Sequence, residues 1–155
     1  RVLLRPHFRI LRDSKKLIDS IKDKFRKNPN FIFEDDVIPS KYFHNSVCMI
    51  SDWSGISMEY AFTCECSVIF IDVPKKILNP DANDLSLEPI EISLRNKIGH
   101  IVSPENIENI PTIIKNFEND IPNFGQRIKE IRANIVFNVG NSAPVGAKYI
   151  QNLVS

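Results

Sequence analysis

Cysteine, glycine and tryptophan are scarce in this chain, with three, five and one copies among 155 residues. The cysteines are odd in number and share no repeated spacing, so they offer no disulfide framework of the kind small secreted domains use. The one close pair, Cys64 and Cys66, is a C-x-C that falls short of a four-ligand zinc pattern. No apolar run approaches the roughly 20 residues that a membrane-spanning helix needs, and the N-terminus carries no signal-peptide core. Nor does one sign of charge prevail. Twenty basic residues face 19 acidic ones, so no chain-wide field points to nucleic acid, and any charged ligand must be met locally. Repeats and low-complexity segments are also missing. A reducing, cytoplasmic setting is the expectation.

What is present is a 43% hydrophobic chain of the length of one globular domain, so residues 1–155 are expected to share one core. It starts at Arg1, directly in the apolar-basic stretch "RVLLRPHF", and is expected to be a piece of the C-terminal half of a longer protein. "RVLL" predicts a short buried strand stopped by Pro6, which cannot donate to a ladder, so Arg5 and His7 fall at a strand exit. "DSKKLIDSIKDKFRKNP" places Leu17, Ile18, Ile21 and Phe25 on one helical face, with Asp13 and Ser14 as caps and Pro29 beyond the end. "FIF" (31–33) predicts a strand, "EDD" (34–36) an acidic loop, "IPSKYFHNS" a short helix and "VCMISD" another strand. A helix over about 55–64 feeds "SVIFID", whose unbroken apolar run suits a parallel strand covered on both faces. Three prolines with several Asn and Asp predict a long loop over 73–89. "EPIEISLRNKIG" then predicts a short helix closed by Gly99, and "HIVS" an edge-like strand. Ser103 and Pro104 supply the cap and first turn of a helix carrying Ile107, Ile110, Ile114 and Phe117 on one face. Helices over about 123–137 and 144–154 complete the chain.

Short apolar strands alternating with helices predict an α/β fold, a Rossmann-like parallel sheet with helices on both faces. Ligands of such sheets bind beyond the carboxyl ends of the strands, where "RPH" and "SDWSG" both fall. A helix N-terminus leaves about four backbone N–H groups unpaired and carries about half a positive charge, which suits an anion. Ser54 and Ser57 offer hydroxyls there, and Gly55 lets a ligand approach the backbone; a plain N-cap at Ser54 is the alternative. Arg5 and His7 can add a guanidinium and an imidazole to the same rim. Glu59 suits the hydroxyls of a ribose or glycerol, or else a solvated helix position, and Asp52 is read as a loop support accepting backbone N–H bonds. No Asp-x-Asp pair lies at the rim and "EDD" reads as a solvated loop, so a reaction without metal or cofactor is expected.

"RPH", then "ISDWSGISMEY" some 40 residues later, then "SVIFID" together resemble the C-terminal half of the CDP-glycerol glycerophosphotransferases, the teichoic-acid polymerase and primase family. That family usually shows "RPH", an "ITDYSS" junction, an aromatic-acidic pair and "P-V-I-F". Order and spacing agree over about residues 1–120, with a weaker echo in "NVGNSA". The resemblance implies the donor-binding domain of a GT-B fold, with a second Rossmann-like domain that carries the general base. It places the phosphate-binding catalytic histidine on His7 and the helix-terminal serine contacts on Ser54 and, by place, Gly55. The usual second serine is here Gly55, the tyrosine is Trp53, and Phe8 follows the histidine. Implied partners are CDP-glycerol or a similar nucleotide-activated donor, a polymer or lipid-linked acceptor, and a membrane surface met through segments outside this chain. A shorter likeness joins "DWSGISME" to the "D-S-G-G-x-x-E-E" segment of UDP-N-acetylglucosamine 2-epimerases, where Glu59 takes the place of a ribose-binding acid. A third reading is a non-enzymatic module that binds phosphate or a protein partner.

Overall fold

The computed structural model describes residues 1–35, 39–75 and 88–154. Among these residues five short strands pair, always in parallel, and the chain divides into two units, Arg1–Lys41 and Tyr42–Ser155. The fold is thus mixed α/β with parallel pairing, as the alternating pattern predicts. The strands form two small sheets, one in each unit.

In the first unit β1 (Val2–Leu4) lies beside β2 (Phe31–Phe33), Val2 opposite Phe31 and Leu4 opposite Phe33. The crossover between them is helical, α1 (Phe8–Asp13) followed by α2 (Lys15–Phe25). As its spacing predicts, α2 turns Ile18, Ile21 and Phe25 inward, and the Phe25 ring stacks on Phe31 with centroids 4.7 Å apart. Leu17, assigned to the same face, is instead exposed. Helix α1 is absent from the sequence reading because six residues are too few to display a helical period. Its presence also reassigns the caps. Asp13 pairs with Arg12 at 2.6 Å, and Ser14 precedes α2 without a side-chain cap bond. Of "EDD", Glu34 and Asp35 face Lys41 and Lys22, each at 3.8 Å, while Asp36 lies outside the described residues.

A 3-10 segment, Pro39–Asn45, leads into the second unit. There β3 (Met49–Ser51), α3 (Ile56–Cys64) and β4 (Val68–Ile71) form one βαβ step. Two short helices, α4 (Ile90–Ser93) and α5 (Arg95–Ile98), precede β5 (Gly99–Val102). The sheet order is β3-β4-β5, with Met49 opposite Val68 and Val68 opposite Gly99. Val68, Ile69 and Phe70 of the central strand are buried, which accounts for its unbroken apolar run. Of the expected 73–89 loop, residues 76–87 lie outside the described residues. Ser103 does cap the next helical stretch, its hydroxyl accepting the Glu105 N–H at 3.3 Å. That stretch runs as a 3-10 segment, Pro104–Asn109, and then α6 (Ile110–Asn119). The chain ends in α7 (Ile121–Ile135) and α8 (Ser142–Val154).

One hydrophobic cluster holds the second unit. Tyr60, Ala61, Val68, Phe70, Ile98 and Ile128 are its most enclosed members, contributed by α3, β4, α5 and α7. Gly99 is obligatory in this packing, since a Cβ there would overlap the Val68 carbonyl oxygen and lie 2.8 Å from the Phe70 ring. Among the described residues, no helix is long and apolar enough to cross a membrane.

Candidate functional site

The segment from Ser51 to Ser57 leaves the carboxyl end of β3 and turns into α3. Helix α3 is seated by its inner face, where Ser57, Met58, Tyr60 and Ala61 are buried. Tyr60 fixes it further, donating its hydroxyl to the Ser46 carbonyl at 3.0 Å and meeting Phe43 edge-on at 5.3 Å. Burial, together with the neighbouring thiols, pushes the Tyr60 phenol upward, so the proton stays on the hydroxyl that makes this bond. The first turn is closed from within. Ser57 N–H reaches the Ser54 carbonyl at 3.2 Å, Met58 N–H reaches Gly55 O at 3.0 Å, and the Ser57 hydroxyl donates to Ser54 O at 2.7 Å.

Ahead of these bonds stand the N–H groups of Gly55 and Ile56, which no acceptor among the described residues takes. A Cβ built on Gly55 would meet nothing within 4 Å among the described residues, and its φ of −58° is ordinary helical backbone. A side chain would therefore fit at this position, and the local conformation does not itself demand glycine. Ser54 is half-buried at the mouth. Ser57 lies beneath it, with its proton directed to the Ser54 carbonyl, so it braces the turn. Glu59 is exposed in the first turn, and its carboxylate complements the helix dipole. Asp52 is exposed, with no hydrogen bond to a described residue. The bond that ties this loop down comes instead from Trp53, whose indole N–H reaches the Val73 carbonyl at 2.8 Å.

Trp53 leads to a residue that the sequence did not single out. The Arg95 guanidinium lies over its ring, 3.7 Å from the centroid, and is only 4% exposed. Its N–H groups reach Asp72 at 3.0 Å and the Ile71 carbonyl at 3.3 Å, both at the exit of β4. Its Nε–H has no acceptor among the described residues. The signal in the sequence is faint: an arginine between Leu94 and Ile98 in the mixed polar and apolar stretch "ISLRNKI".

Arg5 and His7 belong to the first unit, between β1 and α1. His7 is the N-cap of α1, its Nδ1 accepting the Arg9 N–H at 3.2 Å. A nitrogen that accepts carries no proton, so this bond assigns the ring proton to Nε2 and leaves a donor pointing away from the cap. The imidazole also packs on Phe8 with centroids 4.3 Å apart.

The Cys48 and Cys64 thiols are poorly suited to nucleophilic work. Burial, with the nearby Cys66 and Glu118, pushes Cys48 up to about 11, and Cys64 is raised by burial and Cys66. The Cys64 sulfur stands 4.0 Å from His44 Nδ1 at the far end of α3 from its first turn. Among the described residues, no group of three or more His, Cys, Asp or Glu is placed to hold a metal ion. Comparison of the chain with known protein families, curated proteins and solved structures returns no match.

Proposed function

We propose that this chain is the donor-binding half of a transferase that moves glycerol phosphate, or a related polyol phosphate or sugar, from a nucleotide-activated donor to a cell-surface polymer acceptor. The observation that carries this reading is the first turn of α3, which follows the exit of a parallel strand and whose Gly55 and Ile56 N–H groups have no acceptor among the described residues, with Ser54 directly before it. Such a turn favours a diphosphate through its N–H groups and its dipole. The Rossmann-like and GT-B relationship, and the assignment of Arg5 and His7 to the same phosphates, rest on the "RPH" and "SDWSGISMEY" resemblance alone. So does the location, at the cytoplasmic face of the membrane where a polymer or lipid-linked acceptor would be met.

In this reading an acceptor hydroxyl forms the new bond while the bond to the nucleotide breaks, and the electron pair passes to the leaving phosphate. Donors already oriented toward that phosphate stabilise the growing charge more than they stabilise the ground state. The Gly55 and Ile56 N–H groups would do so from the turn. Glu59 is assigned to ribose or glycerol hydroxyls. In the resembling family the base that takes the acceptor's proton belongs to the other GT-B domain.

Calorimetric titration with CDP-glycerol, CDP-ribitol and UDP-sugars tests the proposal; saturable binding of one of them is expected, and failure of all at millimolar concentration sinks it. In the active full-length enzyme, removing a single donor should cost on the order of 10²–10³ in rate. Undiminished transfer by a His7→Ala, Ser54→Ala double variant would assign the chain to a non-catalytic phosphate- or partner-binding role. Isotope exchange at C2 of a UDP-sugar would favour the epimerase reading.

A further inference from the structure

Arg95 is an expensive residue for its position. A buried guanidinium loses its hydration, and here one N–H has no acceptor among the described residues while its charge partner, Asp72, is 53% exposed. An apolar side chain would seat the Leu94–Ile98 segment at lower cost. What it could not provide is a flat cationic surface for an indole and a rigid fork that grips two acceptors at once. Both are used here. The fork holds Asp72 and the Ile71 carbonyl at the exit of β4, and the flat surface lies against Trp53, whose indole N–H holds Val73 on the same exit. Trp53 directly precedes Ser54, so this assembly sets the direction in which the backbone enters the first turn of α3.

We propose that Arg95 is a positioning residue for anion binding: acting through Trp53, it holds the Ser54–Gly55–Ile56 backbone so that its N–H groups converge on a diphosphate. The inference rests on the reading of that turn as a phosphate site. It adds a residue some 40 positions away that touches no ligand.

The test uses the full chain with CDP and inorganic pyrophosphate as probes, followed by calorimetry. Trp53 is the only tryptophan, so its emission reports on the same turn. Arg95→Lys keeps the charge but loses the fork and the flat surface, and Trp53→Phe keeps a ring but loses the indole N–H. Each is expected to weaken both probes roughly ten- to a hundredfold, the scale of a slightly misplaced binding group. The measurement is made at a temperature where circular dichroism shows the variants fully folded. Wild type should show an emission change on binding that Arg95→Lys blunts. If wild type binds and the folded variants match its affinity, even with a lowered melting temperature, Arg95 is only structural and the positioning role is overturned, while the α3 site stands. If wild type binds neither probe, the phosphate reading falls and this inference with it. Should Arg95→Lys fail to fold, Trp53→Phe decides by the same criterion.

Discussion

The two units differ in what holds them and in the charge they carry. In Arg1–Lys41, eleven Lys and Arg stand against six Asp and Glu, and among the described residues only Ile18 is a buried hydrophobic. In Tyr42–Ser155, nine basic residues stand against thirteen acidic ones, around a buried cluster drawn from α3, β4, α5 and α7. The near-zero charge of the whole chain thus conceals a basic part and an acidic part. Affinity for an anion can be general in the first unit. In the second it must come from oriented N–H groups, since the surrounding charge opposes it.

The contrast in packing can be broken at single residues. Gly99→Ala should have the largest effect, about 3 kcal/mol or more, because the new methyl meets a strand carbonyl and the Phe70 ring; a melting temperature within a degree of wild type would refute the tight β4–β5 approach. Ile18→Ala should cost about 2 kcal/mol, and hydrogen exchange should show the loss in β1 and β2 amides while β4 amides stay protected. Equal loss in both sheets would mean that the units unfold as one. Lys129 and Arg132 hold the Glu65 carboxyl below its ordinary range, overcoming a burial effect that raises it. A lowered carboxyl contributes stability above its unfolded value and loses it as pH falls through the folded one. Glu65→Gln should therefore cost less than about 1 kcal/mol at neutral pH, since these pairs are partly exposed. The difference from wild type should vanish in acid, as followed by denaturant titration at several pH values. The smallest effect is expected for Gly55→Ser, a gain of a few tenths of a kcal/mol from a better N-cap, because the site has room and an ordinary φ. The same variant restores the hydroxyl of the resembling family's second serine, so calorimetry should show CDP bound at least as tightly.

Sequence pattern was sufficient where periodicity or punctuation acts within one segment. The apolar run at Val68–Ile71, the inward face of α2 apart from Leu17, and the Ser103 cap all follow from local spacing. It failed where a choice depends on distant partners. Whether Asp52 or Trp53 ties the loop is decided by the Val73 carbonyl and Arg95. The turn itself was legible as strand, serine, glycine and helix. The inward turn of the Ser57 hydroxyl was not, because it follows from the burial of that face of α3.

The far end of α3 is braced by a residue that the ribosome delivers late. Arg132 binds the Phe62 carbonyl and the Glu65 carboxylate, partners 70 and 67 positions upstream, and Glu65 takes the left-handed conformation that ends the helix. During synthesis α3 can coil and its Glu65 N–H can close on the Ala61 carbonyl, but the Phe62 carbonyl and the Glu65 carboxylate stay without Arg132 until α7 has emerged and docked. A chain stalled before residue 132 would hold the complete Ser54–Ser57 turn on an unfinished helix. The finished α3 should therefore appear late in translation, well after residues 54–57 have left the tunnel.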